Sequence, residues 1–64
     1  MLFKDFLETI THDAIVDVEV FDGTDYTEYP CQSKACVHRE FLSYKVNKIH
    51  AQEEGMFLVF LNKK

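Results

Sequence analysis

Cys36 and His38, two positions apart, are a thiol and an imidazole, the residue types of a nucleophile and its general base. Their spacing argues against that chemistry. On a strand, side chains two apart would share a face, but the segment around them reads as helix, where they point about 200° away from each other, which leaves only His12 or His50 to approach the thiol through the fold. Cys31 and Cys36, with His38 and His50, are the types that hold zinc. Cys-x4-Cys followed by scattered histidines is not one of the zinc spacings, so no metal ligand and no cofactor is assigned. With no secretory signal in view, both thiols are expected to be reduced. Gly23 and Gly55 are isolated, so no glycine-rich loop is present to cradle a phosphate. So small a core also leaves little room for a ligand pocket. The expectation is a protein that is not an enzyme.

The acids make a stronger pattern. Residues 1–30 hold eight carboxylates against one base, Lys4, whereas residues 31–64 hold six bases against three acids. From Asp13 to Glu28 there are six acids and no base. On an extended chain Asp17 and Glu19 share a face about 6.5–7 Å apart, close to the spacing of neighbouring phosphates along a nucleic-acid strand. Such a row suits a basic groove on a partner. Tyr26 and Tyr29 lie nearby and are of the type that anchors interfaces. The alternative is that acids outside a small sheet only keep it soluble and blunt its edge. Direct nucleic-acid binding through Lys34, Arg39, Lys45 and Lys48, with Tyr44 for stacking, is disfavoured by the formal charge of −4.

These residues need elements to position them. Leu2, Phe3, Phe6, Leu7 and Ile10 form the apolar stripe of a short N-terminal helix, ended by Thr11, His12 and Asp13. Residues 14–22 read as a strand, with Ala14, Val16, Val18 and Val20 on the core face. Ile15, Asp17, Glu19 and Phe21 take the other face, which the two carboxylates direct toward water. Phe21 is then partly exposed or covered by a loop. Asp22-Gly23 signals a hairpin, lengthened by Thr24 and Asp25. Residues 26–30 return as a second strand, which Pro30 makes an edge or stops.

Ser33 reads as the N-cap of a short helix over 34–44, with Val37, Phe41 and Leu42 inward and His38, Arg39 and Glu40 outward. Val46 and Ile49 open a third strand running to about residue 52, and their spacing of three implies a bulge. Glu53, Glu54 and Gly55 turn the chain. Residues 56–61 form a last strand, apolar on both faces and therefore central. The expected fold is α+β, in the order α-β-β-α-β-β. Helices cover one face of a four-stranded, mostly antiparallel sheet.

At 64 residues and 47% apolar, with six Phe and three Tyr, the chain is one packed domain, 1–64, with a thin stability margin. No apolar run approaches the roughly 18 residues of a membrane span, and the N-terminus lacks the pattern of a signal peptide. A cytoplasmic location is expected.

The Leu-Phe-Lys-Asp-Phe-Leu start, the alternating valine strand, Asp22-Gly23, the tyrosine strand, Val46-x-x-Ile49-x-Ala51 and the final apolar strand together resemble a known group. They look like the short accessory proteins of phages and prophages of Gram-positive bacteria. The likeness is one of layout over nearly the whole chain, and Cys31 departs from it. Some proteins of that kind inhibit host defence, among them anti-CRISPR proteins that occupy nucleic-acid sites on nucleases. The resemblance implies a phage context. Together with the acids it leads to the expectation of protein–protein binding: inhibition of a host defence or nucleic-acid-processing enzyme, such as a nuclease. Asp17, Glu19, Asp22, Asp25 and Glu28 would supply charge, and Tyr26 and Tyr29 the buried contacts. The alternative expectation is a small homo-oligomeric structural or adaptor protein, and a homodimer fits either reading.

Overall fold

The computed structural model describes residues 1–63, the side chains of Cys31 and Gln32 excepted. The chain opens with helix α1 (Phe3–Leu7), shorter than the apolar stripe suggests. The Leu2 N–H donates to the Asp5 carboxylate at 3.3 Å, satisfying one end group. The other end tightens instead of continuing. The Thr9 hydroxyl donates to the Phe6 carbonyl at 2.6 Å, and the Thr9 and Ile10 N–H groups bond three residues back. Phe3, Phe6 and Leu7 are buried, so the stripe does its work within five residues.

Strands β1 (Ile15–Phe21) and β2 (Tyr26–Ser33) form the acidic hairpin. Val16, Val18 and Val20 are buried and their neighbours half-buried, as the alternation requires. Gly23 sits in the turn at φ 106°, a conformation that side chains with a Cβ rarely adopt. The Asp22 carboxylate accepts the Thr24 and Asp25 N–H groups, both at 2.9 Å. Strand β2 does not stop at Pro30. Its register with β1 shifts between Val16 and Val18, and the extra residue on the β2 side accommodates a proline that cannot donate to the ladder.

Residues 34–44 depart from the expected helix. Two 3-10 turns, Lys34–Cys36 and Arg39–Ser43, are separated by extended backbone at Val37 (ψ 149°) and His38 (ψ 134°). Ser33 occupies the N-cap of the first turn, but its hydroxyl makes no capping bond. Tertiary contacts hold each turn separately. Lys34 donates its backbone N–H to Ala14 O at 3.2 Å and its ammonium to Ile10 O at 2.8 Å. Phe41 in the second turn is 1% exposed and packs on Tyr29 and Tyr44. Val37 is half-buried against the core; Arg39 and Glu40 are exposed as expected, and His38, though exposed, lays its ring against Tyr29 and Phe41.

Strands β3 (Lys45–Glu53) and β4 (Met56–Asn62) form the second hairpin, turning at Gly55 with φ 76°. The expected bulge lies between Val46 and Lys48, and a second irregularity falls between Ala51 and Glu53. The sheet order is β2-β1-β4-β3, which places the apolar β4 centrally and leaves β2 and β3 as the edges. Two of the three pairings are antiparallel, and β1 runs parallel to β4. Helix α1 and the second 3-10 turn cover one face. There Phe3, Phe6, Leu7 and Phe41 meet Val16, Val18, Val20, Val59 and Leu61 in one core cluster. The first residues of the chain also tie to β3, with the Val46 N–H donating to Met1 O at 2.8 Å.

Candidate protein-binding face

Among the described residues no helix covers the second face of the sheet. Its membership follows from register, because directly paired residues point the same way. Starting from the non-core positions of β1, one row runs Tyr26, Phe21, Asn62, Lys45 across the four strands. The next runs Glu28, Glu19, Phe60, Lys48. Asp17, Leu58 and His50 make a third, and Ile15, Met56 and Glu53 a fourth. In the second row the surface passes from carboxylates through an apolar centre to a base.

The centre is aromatic. Phe21 and Tyr26 lie with ring centroids 4.8 Å apart, Tyr26 meets Phe60 edge-on at 6.3 Å, and His50 meets Phe60 edge-on at 5.9 Å. Tyr26 remains 54% exposed, so these contacts orient the ring without burying it. On the acidic side Glu19 and Glu28 are direct cross-strand partners. Like charges in that position destabilise a sheet, by about 0.5 kcal/mol as an order of magnitude. Asp25 and Asp22 continue the acidic border through the turn. Asp22 is held below the ordinary 3.8 by the N–H groups of Asp25 and Thr24, so it is committed to the turn as well as to the charge of the surface.

Of the seven residues the sequence singled out, Asp17, Glu19, Asp22, Asp25, Tyr26 and Glu28 lie on this face or at its turn. Tyr29 does not. Its register partner is Val18, and its ring packs on Phe41 and His38 on the covered face. Phe60, Leu58, Lys48 and His50 belong to the face and were not anticipated. The alternation of β4 was visible in the sequence, but both its faces are apolar, which reads as burial on both sides.

The helical spacing expected to turn Cys36 and His38 away from each other does not hold, because the backbone is extended at Val37 and His38. Cys36 is an exposed free thiol, and the His38 ring lies against Tyr29 and Phe41 at 5.6 and 5.2 Å. The state of the Cys31 thiol lies outside the described side chains. Among the described residues no three His, Cys, Asp or Glu side chains converge as a metal site. A surface groove of about 620 Å³ does exist, more room than the small core suggested. It lies outside the core, between the α1–β1 connection and the β3–β4 turn, lined by Ile10, Ile15, Met56 and Phe57 with Asp13 and Glu54. The Thr11 side chain, by hydrogen bonding, holds the Asp13 carboxyl below 3.8. No described helix is long and apolar enough to cross a membrane.

Comparison of the chain with protein-family models, with curated proteins and with solved structures finds no match.

Proposed function

We propose that this chain is a phage-type accessory protein that works by binding another protein through the acidic side of its uncovered sheet face. The favoured target is a basic, nucleic-acid-processing enzyme of the host, such as a defence nuclease, which the bound protein inhibits. Phe21 and Tyr26 supply apolar contact area at low entropic cost, and Asp17, Glu19, Asp25 and Glu28 steer and orient the encounter. The observation that carries this reading is the Glu19–Glu28 pair beside the exposed Tyr26 ring. A cross-strand like-charge pair works against the fold, and a cationic partner would turn that repulsion into attraction.

The test is capture from a Gram-positive host lysate at low and high salt, followed by an activity assay of the purified captured enzyme. Asp22 stays unchanged in the comparison variant because it builds the turn. Glu19, Asp25 and Glu28 are reversed to Lys together. Support would be a basic nucleic-acid enzyme that wild type captures and inhibits, that salt releases, and that the triple variant does not bind. Capture that ignores salt and survives the reversal would remove the acidic surface from the account.

A further inference from the structure

The uncovered sheet face is apolar in the middle and charged at its two sides, with opposite signs. Phe21, Met56, Leu58 and Phe60 stand on the two central strands, half-buried, with no described helix or turn over them. The β2 side carries Glu28 with Glu19 next to it, and the β3 side carries Lys45 and Lys48, both exposed. A sheet face that meets water is ordinarily polar, so an apolar centre of this kind marks a contact surface.

The sign pattern selects the contact. Two sheets stacked face to face lie about 10 Å apart with their strands aligned to within about 30°. A two-fold axis in the plane between two copies can run across the strands or along them. Across the strands, β2 lies over β2 and β3 over β3, so acid side meets acid side and base side meets base side. Along the strands, β2 of one copy lies over β3 of the other, and each cross-strand row lies over itself reversed. Lys48 of the second copy then sits over Glu28 and beside Glu19, the like-charge pair. Lys45 of the second copy sits over the exposed Tyr26 ring, where an ammonium is attracted to the aromatic face. Phe60 and Leu58 each stand one strand spacing, about 4.8 Å to the side, from their own counterparts across the axis. We propose that two copies of this chain pack uncovered face to uncovered face about this axis, β2 over β3, as an aligned two-layer sandwich. A face four strands wide and about seven residues long covers roughly 19 by 24 Å, which puts the dimer at the small, reversible end of interfaces. It is therefore concentration dependent. The dimer stands on the face itself and needs no target. Because it covers the surface proposed above for the target, dimer and target compete.

Sedimentation velocity on the full chain over a concentration series tests this, with circular dichroism confirming that each variant folds. Wild type should pass from monomer to dimer as concentration rises. K48E and E28K each set like charges opposite one another twice per dimer and should each weaken association by about tenfold. The double variant K48E/E28K restores opposite charges and should recover most of the wild-type affinity. Phe60→Thr should weaken the dimer without touching any charge. A wild type that stays monomeric up to its solubility limit would overturn the proposal. So would a dimer indifferent to K48E, E28K and Phe60→Thr, or single-variant losses that the double variant does not repair. Lys48 and Phe60 are not among the residues proposed to bind the target, so K48E and Phe60→Thr should lose the dimer and keep capture, and either idea can fail without the other.

Discussion

Asp22 shows how a single side chain serves two ends. Its carboxylate closes the hairpin turn by accepting two backbone N–H groups, and those bonds favour its ionised form. Because its folded value lies below the ordinary 3.8, the contribution to stability is present above that pH and is lost as the pH falls through the depressed value. Asp22→Ala should therefore lower stability at neutral pH and flatten the acid limb below 3.8, measured as urea midpoints across a pH series. An acid limb unchanged in the variant would mean that other carboxylates set it. The sequence announced this turn through Asp22-Gly23, since the chemistry involves residues only two or three apart. Plain alternation from Tyr26 and Glu28 already turns Tyr29, the partner of Val18, to the other face; what only the fold shows is that its ring packs there on Phe41.

At the scale of elements, the two hairpins were legible because each is specified by its own turn and its own alternation. Gly55 is the clearest case. It adopts φ 76°, and a Cβ built there meets no atom within 4 Å. Gly55→Ala should thus cost only the backbone term, about 1 kcal/mol, and Gly55→Asn less, checked by thermal or urea unfolding. A cost well above that would point to a packing role for the turn. Residues 34–44 were less legible. Their apolar spacing fits a helix, but Val37 and Phe41 are each drawn to the core while Lys34 is anchored to Ile10 and Ala14. Extended backbone at Val37 and His38 satisfies both attachments, and tertiary packing overrides a weak local preference.

For the whole molecule, stability rests on one small core with little reserve. A domain of this length is expected to be stable by about 3–10 kcal/mol in total. Phe41 is 1% exposed and joins the 3-10 segment to β2 through Tyr29. Phe41→Ala should cost about 3–5 kcal/mol, enough to leave a large unfolded fraction at room temperature, visible by circular dichroism and urea titration. A loss below about 1 kcal/mol would mean that the segment over the core is dispensable to folding.

The N-terminal helix, the order of the four strands, the alternating faces, the turns and the central, doubly apolar last strand followed from the sequence alone. Each depends on interactions within a few residues: steric limits at glycine, the missing N–H of proline, and the two-residue period of a strand. The charge split between the halves was equally visible as a property of the chain. Only tertiary structure decided where that split would lie in space. Parallel pairing of β1 with β4 unites the hairpins and puts acids, aromatic rings and bases on one uncovered face. That pairing joins residues about forty positions apart. It is settled by how the core closes around Phe3, Phe41 and the valines, and no local preference in either strand encodes it.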